Sequence, residues 1–161
     1  MNLHSYIEEF KAHNYDNFPS FYMKTFKQIY FTAYSILTDS AEIDGIIKET
    51  YISFLNNLAS YRGRKASMSL IAIARNKSLS LAKANKPISS GSILNSNIAN
   101  SNYPSLEGIL GLLKAQEERE AIIYHKLLGY SLIEISKIMG ISLYNTAIIY
   151  NRAIRNLLNK G

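Results

Sequence analysis

The chain has no cysteine, no tryptophan, only three prolines, and no Asp or Glu anywhere from residue 51 to residue 106. Without cysteine there is no disulfide scaffold and no thiolate zinc site, and the composition fits a reducing cytoplasm. Three histidines (His4, His13 and His125) are scattered and no acidic cluster has ligand spacing, so no metal is expected. There is no Gly-rich phosphate loop and no Ser-His-Asp pattern. The expectation is therefore a protein that binds rather than catalyses, with no cofactor, no catalytic residue and no small-molecule substrate. No apolar run reaches the roughly 18 residues of a membrane span, so no membrane insertion is expected. Glu8 and Glu9 in the first turns speak against a signal peptide.

What is present is helical. The 161 residues are 47% hydrophobic, enough for one ordinary domain or two small ones. Apolar residues recur at helical spacing and alternating strand patterns do not, which gives an all-α fold class. Residues 18–38 read as one long helix with Phe21, Phe26, Ile29, Tyr30, Ala33 and Leu37 on one face. Asp39 and Ser40 mark a break and a new N-cap. Residues 42–58 form the next helix, with Ile43, Ile46, Ile47, Phe54 and Leu58 inward. Residues 67–84 form a third, with its Lys and Arg side chains outward, and Lys86-Pro87 ends it. Residues 87–105 read as a polar linker: 13 of its 19 residues are Ser, Asn, Pro or Gly and none is charged. As a flexible coil it spans about 20–25 Å. Helical patterns resume at 106–113 and 115–128. The domain division is thus 1–86, a linker at 87–105, and 106–161.

Charge is distributed unevenly. Residues 1–50 are net acidic, and the last third is mildly basic. Between them lie seven bases and no acid: Arg62, Arg64, Lys65, Arg75, Lys77, Lys83 and Lys86. An acid-free basic stretch is a polyanion surface, and a solvated basic face is the alternative. The last third carries the sharper motif. Ser131 is an N-cap with Glu134 completing a capping box, and Ile135, Ile138 and Met139 follow at helical spacing. Gly140 supplies a turn residue that takes positive φ, and Ser142 caps the next helix. There Thr146, Tyr150, Ala153 and Leu157 share an inward face. The pattern is a helix-turn-helix, which makes DNA the leading partner. Its outward residues, with the cap Ser142, are the candidate readers: Tyr144, Asn145, Ile148, Asn151, Arg152 and Arg155.

Two helical domains, a polar linker and a C-terminal helix-turn-helix in this order resemble the sigma-70 family, above all its two-domain extracytoplasmic-function group. In the second half, Glu118-Arg119-Glu120 and the string from Tyr130 through Gly140 to Leu157 look like the family's region 4. In the first half, residues 46–51 look like the segment that binds the polymerase clamp. Ile73-Ala74-Arg75-Asn76 looks like part of the helix that meets the −10 element. The resemblance implies core RNA polymerase and promoter DNA as partners, with an anti-sigma factor as a further one. It implies a region 2-like domain that contacts the −10 side through Tyr61, Arg62, Arg64, Lys65, Arg75, Asn76, Lys77, Lys83 and Lys86. It implies a polymerase contact through Asp44, Ile47, Lys48, Glu49 and Tyr51, and a −35 contact through the helix-turn-helix.

The departures matter as much. Ser69 and Ala66 stand where the family often places aromatics, Gly45 where an acid is common, and Lys48 where Gln is common. Ala147 and Ile149 stand where it tends to place cations. Base stacking contributes about 1–3 kcal/mol per base, and Tyr61 is the one obvious platform here. Two rival readings follow: a helix-turn-helix regulator that does not serve polymerase, and a degenerate sigma-like protein that binds polymerase without opening promoters. If six phosphates are neutralised, log affinity falls with log salt at a slope of about −5.

Overall fold

The computed structural model describes the backbone of residues 1–61, 65–85 and 104–160 and the side chains of 1–61, 65–85 and 108–159. Arg62, Arg64 and Lys86, expected on the DNA side, and nearly all of the expected linker lie outside the described residues. The elements are α1 (Leu3–Lys11), α2 (Phe18–Ile36), α3 (Ser40–Asn56), a 3₁₀ turn (Leu58–Ser60) and α4 (Ala66–Asn85). After these come α5 (Pro104–Gly111), α6 (Gln116–Ile122), α7 (Leu132–Met139) and α8 (Leu143–Lys160). No strand occurs among the described residues, so the all-α expectation holds.

The first half forms because four amphipathic segments share one aromatic core. Phe10, Phe21 and Phe54 are each fully buried. Their rings form a relay, with Phe10 edge-on to Phe21 at 5.2 Å and Phe21 stacked on Phe54 at 5.6 Å. Phe54 in turn stacks on Tyr61 at 4.5 Å. Ile29, Ile43, Leu70 and Ala74 complete this core. Helix α1 was not among the helices expected from the sequence. Asn2 caps it by accepting from the Ser5 amide, and its Tyr6, Ile7 and Phe10 are buried against α2. At the break marked by Asp39 and Ser40, Asp39 is the N-cap of α3, its carboxylate accepting from the amides of Ala41 and Glu42.

In the second half, α6 runs into a π turn, Ile123–Leu127, closed by Leu128 N–H donating to Ile123 C=O at 3.0 Å. Positive φ at Gly129 ends it. The helix-turn-helix follows as expected. The reciprocal Ser131–Glu134 capping box starts α7, and Gly140 at φ 68° ends it. Ser142 Oγ accepts from the Asn145 amide to start α8. Pro104 opens α5 inside the span assigned to the linker.

The halves touch. Phe31 of α2 and Ile71 of α4 pack with Leu110, Ile123, Tyr124, Ile135 and Met139 of the second half. A smaller core of Leu113, Ile122 and Ala153 ties α8 to α6.

Gly140→Ala places a Cβ in the left-handed region at a cost of about 1 kcal/mol. The expected loss of melting temperature, read by circular dichroism, is about 2–4 °C for a chain of this size.

Candidate nucleic-acid and polymerase interfaces

Helix α8 presents its candidate readers to solvent. Ser142, Tyr144, Asn145, Ile148, Asn151, Arg152 and Arg155 are all exposed. Tyr144 keeps 75% of its surface in solvent and Ile148 41%. Thr146 and Ala153 are buried on the opposite face, and Thr146 Oγ1 donates back to Ser142 C=O. Ile149 is buried, so it packs rather than reads. Arg152 is drawn back along its own domain. Its Nε donates to Glu118 Oε1 at 2.6 Å, and Asn156 Nδ2 donates to both oxygens of that carboxylate. Glu118 is 4% exposed, so Arg152 neutralises a buried charge, leaving Arg155 the cation of this face with no such tie among the described contacts.

Helix α4 carries Arg75, Lys77 and Lys83 of the basic stretch, and Lys65 directly precedes it. Lys65, Asn76 and Lys83 are exposed, and Lys77 lies 3.7 Å from Glu49 across to α3. Arg75 departs from expectation. It turns inward, and its Nε donates to Glu120 Oε1 at 2.6 Å on α6. Burial works against its charge, yet the hydrogen bond and charge of Glu120 more than compensate and raise its pKa. Tyr61 is partly buried, with one face stacked on Phe54. The two departures from the family pattern also have local accounts. Ala66 is fully buried in the first core, and the Ser69 hydroxyl donates to Lys65 C=O at 2.9 Å.

The residues expected to bind polymerase divide between two places. Asp44, Ile47, Lys48 and Tyr51 line one groove of about 530 Å³ between α2 and α3, together with Phe18, Tyr22, Phe26, Ile52 and Leu55. Its floor is apolar, and its rim holds one acid and one base. Glu49 is on another side, facing Lys77. Tyr51 is not the exposed residue expected from the sequence. It is buried, with its hydroxyl 2.7 Å from Thr25 Oγ1 and directed at Tyr22 C=O. The sequence had shown Ile47 and Tyr51 but not the α2 wall. Phe18, Tyr22 and Phe26 fall at i, i+4 and i+8, a stripe whose period was the available signal.

Set against known proteins, the chain matches no family model and no curated protein sequence. Among solved structures it is similar to the sigma factor RpoE from Bartonella quintana, crystallised with the anti-sigma factor NepR. That likeness has a TM-score of 0.70 at 19% identity, over 89% of this chain and 95% of that one. The RsbN–BldN complex also matches, at 19% identity over 96% and 99% of the two chains with a TM-score of 0.43. At this identity the RpoE likeness is one of fold, and it spans both halves.

Burial, opposed by the Thr25 hydrogen bond and reinforced by Tyr22, raises the Tyr51 pKa to about 12. The folded pKa lies above the unfolded one, so the neutral phenol's contribution is complete below about pH 10 and declines as pH rises toward about 12. Tyr51→Phe should lose about 1 kcal/mol at neutral pH with its hydrogen bond. It should also show a shallower alkaline decline than the wild type in urea titrations across that range.

Proposed function

We propose that the chain is a sigma factor of the extracytoplasmic-function type, acting in the cytoplasm to direct core RNA polymerase to promoters and support initiation. The observation that carries this reading is the fold likeness to RpoE across both halves. It is joined by a helix-turn-helix whose reading face is exposed and an acid-free basic helix. The α2–α3 groove that gathers Asp44, Ile47, Lys48 and Tyr51 is our candidate seat for the polymerase clamp. Since RpoE was crystallised with an anti-sigma factor, we extend an anti-sigma partner to this chain as well. In this scheme the first half meets the −10 element and the second the −35 element. Phosphate contacts supply affinity and base edges supply choice. The chain contributes binding and positioning, and the polymerase does the chemistry.

One observation favours a second reading, binding to polymerase without promoter opening. Phe54 covers a face of Tyr61, and Ser69 is engaged with Lys65 C=O, which leaves little for stacking an unpaired base. Reconstitution with core polymerase separates the two. The initiation reading expects retention on core at low salt, run-off transcripts, and permanganate-reactive thymines at the start site. Retention without reactive thymines favours the second, and no retention ends both. Ile52, about half exposed on the groove rim, offers a control. Ile52→Glu should weaken retention on core about tenfold, equivalent to roughly 1.4 kcal/mol, with an unchanged melting temperature.

The reading face itself selects a DNA class. Asn145 and Asn151 suit adenine edges, and Ile148 suits a thymine methyl. Replacing the contacted thymine by deoxyuridine removes one methyl. Wild-type binding should weaken about fourfold, from roughly 0.8 kcal/mol of lost burial, while Ile148→Ala should not respond. Equal affinity of the wild type for both duplexes would remove Ile148 from the readers.

A further inference from the structure

The halves meet on a charged seam set in an apolar rim. Arg75 on α4 reaches Glu120 on α6 through Nε at 2.6 Å and Nη2 at 3.4 Å. The arginine side chain is 15% exposed and the carboxylate 0%. Tyr124 Oη donates to Glu120 Oε1 at 2.9 Å, and Gln116 Nε2 donates to Oε2 at 3.0 Å. One residue earlier, Arg119 Nε donates to Ser35 C=O at 3.0 Å in the last turn of α2. There it caps a carbonyl that the helix leaves without an internal partner.

A carboxylate without solvent access needs a cation beside it, because its desolvation costs several kcal/mol. Weakening that partner favours any arrangement that returns Glu120 to water, and water reaches Glu120 when α6 leaves α2 and the Arg75 side chain of α4. The apolar contacts of the rim do not answer to anions, but a guanidinium does. Phosphate offers Arg75 the same bidentate geometry as Glu120. Arg75 is also the one basic side chain on α4 that the sequence places on the DNA side and the fold turns inward.

We propose that the Arg75–Glu120 pair is a latch: it holds the two halves closed and keeps Arg75 from nucleic acid until the halves part. The masking rests on the reading of α4 as a DNA surface, whereas the closure does not. In the closed chain one cation serves an internal carboxylate. In the open chain it is available to a phosphate, so closure and DNA binding exclude each other at this residue. Apparent affinity is then reduced by the fraction of molecules that are open.

The absence of cysteine lets the closure be measured directly. Exposed positions Asn56 on α3 and Lys137 on α7 are changed to Cys and spin-labelled in the full chain. Pulsed electron resonance should give a narrow distance distribution for this background. Adding Glu120→Gln should broaden and lengthen it, and the reciprocal swap Arg75→Glu with Glu120→Arg should narrow it again. On a 30-base-pair duplex at low salt, Glu120→Gln should bind about tenfold tighter than its parent if some nine-tenths of molecules are closed. The swap should bind more weakly than Glu120→Gln, since α4 has lost the Arg75 cation and keeps only Lys77 and Lys83. Helix content by circular dichroism accompanies each variant, and the swap, whose charges stay matched, carries the test if Glu120→Gln loses helix. An unchanged distance distribution in Glu120→Gln overturns the latch, as does a swap that folds and stays open. A widened distribution with unchanged DNA affinity overturns the masking. A widened distribution with no DNA binding by any variant supports the latch and instead refutes the promoter-binding reading.

Discussion

A carboxylate with no contact to solvent sets the terms for both halves of this fold. Glu120 is 0% exposed, so α6 can sit only where a cation and hydroxyl or amide donors surround it. Tyr124 and Gln116 come from its own helical turns, but the cation must come from elsewhere, and Arg75 supplies it from 45 positions away. That requirement ties α4 to α6 through one side chain, while α6 itself packs against α2. Apolar partners follow from helical geometry. Ile71 lies one turn before Arg75 and Tyr124 one turn after Glu120, so each shares a face with its charged neighbour. Both are buried in the cluster that joins the halves.

Three consecutive residues distribute this constraint. An α-helix rotates about 100° per residue, so neighbours at 118, 119 and 120 point in different directions. Glu118 faces α8 and binds Arg152 and Asn156. Arg119 faces the end of α2 and the turn before α6, donating to Ser35, Leu113 and Lys114 carbonyls. Its burial lowers its pKa, with the two flanking carboxylates opposing that shift. Glu120 faces α4. One turn of helix thus secures the recognition helix, the end of α2 and the basic helix. The aim of the reading face and the closure of the molecule are set by the same few residues.

The helix-turn-helix was legible because its determinants are local. Ser131, Glu134, Gly140 and Ser142 act within four residues of themselves, and the outward positions of α8 follow from its period. The Arg75 arrangement was not legible for the opposite reason. A polar helix face reads as solvent-facing in one dimension, yet that face of α4 meets a carboxylate distant in sequence. Tyr51 was misread in the same way, since a tyrosine between Thr50 and Ile52 gives no sign that Thr25 will satisfy its hydroxyl. The cap at the break before α3 was legible for the same local reason as the helix-turn-helix: the Asp39 carboxylate reaches two amides within three residues. Helix α1 had the required period in Leu3, Tyr6, Ile7 and Phe10, so that signal was present and passed over.

The basic surface is graded by burial. Lys77 and Glu49 are partly exposed and 3.7 Å apart, a pair worth less than about 1 kcal/mol, which a phosphate displaces at little cost. Lys65 and Lys83 are exposed outright. Arg75 is different, because releasing it strands a buried carboxylate. Salt acts on these groups unequally: exposed charges are screened over about 8–10 Å at physiological strength, whereas a buried pair is screened much less. If the basic surface binds phosphate as proposed, rising salt weakens that binding at the lysines while leaving the internal pair nearly intact. Under the proposed latch the balance then moves toward the closed chain as salt increases. The salt dependence of DNA binding would carry two contributions, counterion release at the phosphates and the growing advantage of Glu120 over phosphate as the partner of Arg75.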